Sequence, residues 1–315
     1  MTSRRLIRIK VLQLLYAYSK REDISIAETE NELLHSIQKS SELYHLILLL
    51  FSDIRHKAYL KIEGKRNKIT ASEEEKNPNT KFISNKVFEL LENNKKFKAE
   101  LKAEGVTWVK NPEIIEHFYN RIIESPIYES YMSSSENSFK EDKDFILEIF
   151  KNIITQDDIF FEIMEDRNIY WNDDFELVFN IAYKTLKNLK EDYNEETNFM
   201  CSVFSSMDDI QFAKKLLLTT LVNNTETIDL IDRFTKNWEI ERISDMDKII
   251  LSEAINEILT FPSIPVKVSF DEYIEISKNY SSGKSSAFIN GILDKIVIHL
   301  NENDKIHKAG RGLIS

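Results

Sequence analysis

The sequence predicts an all-α protein. Only six Gly and five Pro occur in 315 residues, so few positions suit tight hairpin turns or glycine-rich loops. Leu, Ile, Glu and Lys are abundant, and apolar residues recur at the three- and four-residue intervals of amphipathic helices. With 42% hydrophobic residues, the chain can bury a sizeable core, and its length allows two domains.

The first predicted helix covers residues 4–20, with Thr2 or Ser3 available as its N-cap. One side carries a continuous apolar stripe suited to a core: Ile7, Val11, Leu14, Leu15 and Tyr18. Arg5, Gln13 and Tyr16 project away from that stripe. The pattern predicts a helix that packs on one side and presents polar and aromatic groups on the other.

Further helices are predicted for residues 26–62, 82–123, 144–189 and 208–300, with Pro262 and Pro265 interrupting the last region. Polar connectors separate them at 64–80, 131–138 and 190–198. The predicted domains are N-terminal helices over 1–62, an acidic helical insert over 63–206, a C-terminal bundle over 207–302 and a flexible tail over 303–315.

Residues 144–189 can be aligned with the C-terminal helices at an offset of 67 residues, which pairs Trp171 with Trp238. Two hypotheses remain open for this similarity. The acidic middle is either a decayed copy of the C-terminal bundle or a set of helices that aligns through its shared period.

Charge is distributed unevenly along the chain. The net charge is -11, and residues 141–176 contain twelve acidic and three basic residues. Residues 1–21 contain no acid and six bases: Arg4, Arg5, Arg8, Lys10, Lys20 and Arg21. The charge excludes a protein that coats nucleic acid uniformly, whereas guanidinium groups at a helix N-terminus favour phosphates and RNA bases.

Other classes of protein are disfavoured by what the sequence lacks. A single cysteine, Cys201, permits neither an internal disulfide nor a CxxC site and is typical of a reducing cytoplasm. The longest apolar run, 43–51, is shorter than the roughly 20 residues needed to span a bilayer. The six His residues form no metal-binding motif. We expect a cytoplasmic, non-enzymatic protein without a cofactor or metal.

The stretch SSGKSSAFINGILDK, residues 281–295, contains the GKS triplet of nucleotide-binding loops. A phosphate-binding loop also needs a strand before it and a Gly five residues before Gly283, where this chain has Lys278. The stretch instead predicts a helix capped by Ser285 or Ser286. Phe288 in its first turn is either a core residue or a platform for an RNA base beside Lys284.

Three segments resemble the NusB transcription antitermination family. They are RRLIRIKVLQLLYAY at 4–18, KNWEIERISDMDKIILSEAINEIL at 236–259 and IPVKVSFDEYIEISKNYSSGKSSAFINGILDKI at 264–296. The resemblance covers roughly residues 1–20 and 208–300. It implies a NusB-like helical bundle of two packed subdomains, with the intervening residues as an extra helical insert. Either 43–60 or 212–234 would then supply the helix that closes the N-terminal subdomain.

The resemblance also implies a function that is not catalytic. NusB proteins bind boxA RNA of ribosomal RNA leaders with the NusE ribosomal protein, in the RNA polymerase antitermination complex. The matching RNA-binding positions are Arg4, Arg5, Arg8, Gln13, Tyr16, Lys284, Ser285, Phe288 and Asn290, and the protein-partner positions are Asp247 and Arg242.

Two other functions remain open from the sequence. One is a helical protein–protein adaptor that has lost RNA binding. The other is a bundle like the RNA-binding domain appended to some RNA cytosine methyltransferases, although no glycine-rich cofactor loop accompanies it here. Because the acidic insert would repel RNA, we expect it to face away from the RNA and to contact protein.

Overall fold

The computed structural model describes residues 3–21, 23–204, 207–235 and 243–309. These residues contain α-helices joined by short connections and no strand, which confirms the all-α prediction. The helices are α1 Ser3–Ser19, α2 Ile26–Arg66, α3 Glu73–Lys76, α4 Lys86–Asn93, α5 Lys95–Glu104, α6 Pro112–Ile123, α7 Pro126–Ser133, α8 Phe139–Ile149, α9 Asp158–Arg167, α10 Phe175–Asn188, α11 Met207–Val222, α12 Asn224–Thr235, α13 Asp245–Thr260, α14 Val266–Tyr280 and α15 Ser285–Glu302. A π-helical turn, Phe150–Ile154, and a 3₁₀ turn, Ile169–Trp171, lie between them.

The chain forms two compact units. The first consists of Met1–Ile37 and Phe204–Ser315, and the second of Gln38–Val203. The second unit therefore begins within α2, because residues beyond its first turns pack there: the Phe51 ring lies 6.4 Å from Phe88 and 6.1 Å from Phe150. The domain limits predicted from sequence, with an insert over 63–206, stay a proposal.

The first unit is organised around α13. This helix contacts α1, α11, α12, α14 and α15, and every residue from Ile250 to Ile258 is buried. Its apolar side chains share one core cluster with Leu12 of α1, Tyr273 and Ile276 of α14, and the buried stripe of α15. A helix enclosed on all sides in this way fixes the positions of its neighbours.

A second core cluster packs α1 against α11. From Ile7 to Leu15 the apolar stripe of α1 is buried as predicted, whereas Tyr18 is only partly buried. The buried stripe clusters with Phe212, Ala213, Leu216 and Leu217 of α11 and with Leu33 and Ile37 of α2. Two segments, 43–60 and 212–234, were the candidates for the helix that closes the N-terminal subdomain. The structure shows that the segment beginning at residue 212 packs against α1. Residues 43–60 belong to the second unit.

One carboxylate in the first unit is completely buried and fully hydrogen-bonded. Arg8 donates to Glu257 from Nε at 2.7 Å and from Nη2 at 2.9 Å, and these side chains are 3% and 0% exposed. Ser269 Oγ and Tyr273 OH donate to the same carboxylate at 2.7 and 3.1 Å. Four donors thus offset the cost of burying the charge.

Glu253 lies one turn before Glu257 on α13 and is also buried. Burial raises the pKa of Glu253 well above its ordinary value, and the charge of Glu257 raises it further. The neutral carboxyl is therefore favoured at this position. Two acids one turn apart can share this interior because only one of them needs to be charged.

The first residues after α15 pack on the end of α13. Lys308 Nζ donates to the backbone oxygens of Ile258 and Phe261, at 2.7 and 3.0 Å, and so binds carbonyls at the end of the helix, where few backbone donors are available. Sequence analysis predicted a flexible tail over 303–315. Lys308 is bonded in this way and Ile306 packs against the core cluster, and residues 310–315 lie outside the described residues.

The second unit has an aromatic core and uses three of its acids structurally. Asp157 caps α9 by accepting from Phe160 N at 2.7 Å, and it also binds His117 and Arg121. Asp142 accepts from Tyr131 OH at 2.5 Å, and Asp174 from Ser40 Oγ at 2.6 Å. These three are the buried acids of the 141–176 region, and its exposed acids contribute to the charge of the surface.

The proposed duplication stays a prediction. Helices α8, α9 and α10 follow one another in the same order as α11, α12 and α13, which agrees with an offset near 67 residues. Trp238, the residue that pairs with Trp171, lies outside the described residues.

Removing Glu257 should strongly destabilise the first unit. We expect Glu257→Leu to lower the free energy of unfolding by about 3–5 kcal/mol, because the buried Arg8 guanidinium loses both of its hydrogen bonds and, among the described residues, keeps only Glu272, 3.8 Å from Nη1. The double variant Arg8→Met/Glu257→Leu should recover most of that loss. Urea unfolding followed by circular dichroism measures both.

Arg5→Ala is the matched control, since its pair with Glu272 is partly exposed and should contribute no more than about 1 kcal/mol. A Glu257→Leu variant as stable as Arg5→Ala would show that the buried pair does not hold the unit together.

Candidate nucleic-acid interface

The arginines at the start of α1 are engaged by carboxylates. Arg4 Nε lies 3.4 Å from Asp209 Oδ1, and Arg5 donates to both oxygens of Glu272, at 2.6 and 3.0 Å. Both arginines are only partly buried. A phosphate could reach these guanidinium groups, but it would compete with a carboxylate already in place.

Arg8 was predicted to contact RNA, but its side chain is buried in the structure. Its guanidinium is enclosed by Glu257 and by the rings of Phe212 and Tyr273, at 5.4 and 5.9 Å. Lys10, another of the six N-terminal bases, is buried as well. Arg8 therefore fixes α1 against α13 and α14, and the basic face of α1 is smaller than the residue count suggests.

The other end of α1 presents an aromatic ring and a cation. Tyr16 is 38% exposed, and Lys20 Nζ lies 5.4 Å from its ring centroid. Lys20 also donates to Asp245 Oδ2 at 2.5 Å, at the first turn of α13. This hydrogen bond and the charge of Lys20 lower the pKa of Asp245. Gln13 lies one turn before Tyr16 and is partly buried.

Asp247 holds the loop that precedes α15. Its buried carboxylate accepts from Ser281 Oγ at 2.6 Å and from Ser285 Oγ at 3.2 Å. Asp247 was predicted to contact a protein partner, but these serines enclose its carboxylate. Arg242, the other predicted partner contact, lies outside the described residues.

The start of α15 also differs from the predicted serine cap. The N-cap residue is Lys284, and no side chain there bonds to the helix backbone. Ser285 is buried because its hydroxyl binds Asp247. Lys284 is left exposed at the first turn of the helix.

Phe288 and Asn290 occupy different sides of α15. Phe288 packs partly on the core cluster around α13 and is not completely buried, and its role as a platform for an RNA base stays a prediction. Asn290 is exposed. Two residues along a helix correspond to about 200° of rotation, so Asn290 does not share a face with Phe288.

Two aspartates on the first turn of α13 each bind one of the two elements that carry the remaining residues. Asp245 binds Lys20 of α1, and Asp247 binds the loop before α15. Tyr16 and Lys20 thus adjoin this turn at Asp245, and Lys284 and Phe288 adjoin it through the loop bound to Asp247. These four residues are named here the α1–α15 surface. Arg4 lies twelve residues from Tyr16, or about 18 Å along α1.

Sequence analysis missed Lys20 and Asp245 as members of this surface. Lys20 follows Tyr16 by four residues, a spacing that places both on one helix face, so this position could have been found. Asp245 could not be paired with Lys20 from sequence, because the residues are separated by 225 positions.

Among the described residues, no His, Cys, Asp and Glu side chains cluster in a way that could hold a metal ion. No helix within them is sufficiently long and apolar to cross a membrane.

The chain is similar to a known family and to several of its members. The model of the NusB family matches residues 175–297, and the first helix lies outside this match. The transcription antitermination protein NusB of Natranaerobius thermophilus is 35% identical over 131 residues, which are 40% of this chain and 90% of that protein.

Two further proteins of that name are more similar over shorter lengths. The NusB protein of Salinibacter ruber is 43% identical over 103 residues, which are 33% of this chain and 64% of that protein. The NusB protein of Chloroherpeton thalassium is 40% identical over 99 residues, or 31% and 47% of the two chains. No solved structure matches this chain.

Asp247→Ala should loosen the loop before α15. Because two hydroxyl groups lose a buried acceptor, worth about 1–3 kcal/mol, we expect amide hydrogen exchange over 281–288 to rise roughly tenfold or more. Asp245→Ala is the matched control, two residues away and exposed, and should leave that exchange unchanged. Equal exchange in both variants would contradict a role for Asp247 in positioning the loop.

Proposed function

Because the chain belongs to the NusB family, we propose that it is a non-enzymatic transcription antitermination factor that binds boxA-type single-stranded RNA of ribosomal RNA leaders. It would act with the NusE ribosomal protein in the RNA polymerase antitermination complex, in the cytoplasm. Family membership rests on the relative that is 35% identical over 90% of its own length. The substrate and partners named here are the proposal.

The observation that supports RNA binding most strongly is the composition of the α1–α15 surface. Tyr16 offers an exposed ring on which an unstacked base can lie, and Lys20 and Lys284 offer charges for the adjoining phosphates. The pair between Lys20 and Asp245 is exposed. Pairs of this kind are readily exchanged for a phosphate.

The other predicted RNA contacts divide by burial. Gln13, Phe288 and Asn290 retain exposed atoms and remain in the proposed interface. Arg4 and Arg5 would extend it along α1 by exchanging a carboxylate for a phosphate. Arg8 and Ser285 are buried, so we propose that they position the surface without contacting RNA.

The NusE partner is proposed from family membership alone. Asp247 is enclosed by Ser281 and Ser285, so a protein contact at this turn would involve its exposed neighbours. Asp245 is exposed on the same turn of α13. Arg242 stays a proposed contact.

A protein–protein adaptor without RNA binding is the second candidate. It is favoured by the pairing of Arg4, Arg5 and Arg8 with Asp209, Glu272 and Glu257, because these acids neutralise the charge expected to attract phosphates. Titration of the protein with labelled boxA-type RNA separates the two functions.

Loss of the exposed ring or the exposed lysine should weaken RNA binding. Tyr16→Ala should lower affinity about 5- to 150-fold, the loss of about 1–3 kcal/mol from one stacked base. Lys284→Gln should reduce the slope of log affinity against log salt by about 0.7, the value for one phosphate contact on a single strand. Fluorescence anisotropy with boxA-type RNA at several salt concentrations measures both.

The chain offers a matched control for each change. Tyr59→Ala removes another exposed tyrosine, on α2, and Lys267→Gln removes an exposed lysine at the far end of α14. Neither should alter RNA binding. If Tyr16→Ala and Lys284→Gln bound RNA as these controls do, the RNA site would lie elsewhere on the protein. If neither the wild-type protein nor any variant bound RNA, the adaptor function would be favoured.

A further inference from the structure

Helix α9 of the second unit has an unusual outer surface. Phe160 and Met164 bury one side of the helix in the aromatic core. On its outer side, Ile159 is 55% exposed and Ile163 is partly exposed one turn later. Ile169, just after the helix, is 77% exposed. Single exposed apolar residues are common, whereas several that lie near one another mark interaction surfaces.

A fixed stack of side chains extends this apolar surface beyond α9. The Arg167 guanidinium lies between the rings of Trp108 and Trp171, 5.3 and 5.7 Å from their centroids, and donates to Thr107 O at 3.2 Å. Val109, which follows Trp108, is 82% exposed. Val109 is adjacent to Trp108 in sequence and Ile169 precedes Trp171 by two residues, so both exposed side chains follow from the positions of the stacked rings.

Acidic residues run beside the isoleucines. Asp158, Glu162 and Glu165 follow one another at i, i+4 and i+7 and form a second stripe on α9. All three are exposed, and within the described ranges no ion pair neutralises them. The one basic residue of α9, Arg167, is held between the two indole rings.

We propose that this α9 surface, formed by Val109, Ile159, Ile163 and Ile169 with the acids Asp158, Glu162 and Glu165, docks a basic amphipathic helical segment of a partner protein. Apolar side chains of the segment would cover the isoleucines, and its Lys or Arg residues would meet the acidic stripe.

The charge of the surface selects this class of partner. The carboxylates repel nucleic-acid phosphates and anionic lipid headgroups, whereas the apolar stripe beside them matches the two faces of an amphipathic basic helix. The surface lies in the second unit and is not part of the α1–α15 surface. The inference therefore does not depend on the proposed RNA binding.

The test uses the full-length protein as bait for a phage-displayed library of random peptides, with counter-selection against the double variant Ile159→Ser/Ile169→Ser. We expect the enriched peptides to combine Lys or Arg with apolar residues at helical spacing. Absence of enrichment over the double variant would overturn the proposal.

One enriched peptide is then labelled and titrated against the wild type and its variants. The double isoleucine variant should weaken binding roughly tenfold or more, because two apolar contacts are lost. Glu162→Gln/Glu165→Gln should also weaken binding and reduce its salt dependence. The control Tyr59→Ser/Leu60→Ser changes exposed apolar residues of α2 and should bind as the wild type does.

Three other results would contradict the proposal. The peptide could bind all variants equally, which would show that the isoleucines and acids are not involved. The double isoleucine variant could lose affinity for single-stranded RNA, which would assign the surface to nucleic acid. It could instead abolish a concentration-dependent dimer in sedimentation, which would assign the surface to a second copy of the chain.

Discussion

The buried pair of Arg8 and Glu257 sets the position of α1, and the arrangement of the first unit depends on it. Glu257 lies on the central helix α13 and accepts hydrogen bonds from α1 and α14 together. A charge in such a place is tolerated only when its partners are held at fixed distances. The pair therefore fixes the rotation of α1, with its apolar stripe on α11 and Tyr16 directed outward.

This use of Arg8 changes how an arginine-rich helix is interpreted. Three arginines at the start of α1 each bind a carboxylate of another helix. Their charge therefore stabilises the packing of helices, and a ligand would have to compete with these carboxylates. The exposed ring of Tyr16 and the exposed Lys20 lie at the opposite end of α1, and the exposed Lys284 precedes α15. Asp245 and Asp247 join these two elements from a single helical turn, and the site follows from the packing of α13.

The residues that sequence could place are those whose partners are near in sequence. The helical class, the apolar stripe of α1 and the amphipathic α15 follow from periodicity alone, and so does exposure of Tyr16. The roles of Arg8, Asp247 and Ser285 depend on contacts 249, 34 and 38 positions apart. A single sequence does not say which acid pairs with which base or hydroxyl across such distances. An arginine or serine that will be buried therefore cannot be distinguished in the sequence from one that will be exposed.

The central claim, that RNA meets the α1–α15 surface, is tested most directly by ultraviolet crosslinking of boxA-type RNA to the full-length protein. Trypsin releases VLQLLYAYSK, residues 11–20 with Tyr16, and SSAFINGILDK, residues 285–295 with Phe288. We predict that mass spectrometry finds RNA attached to both peptides. Crosslinks confined to residues 38–203 of the second unit would contradict the claim.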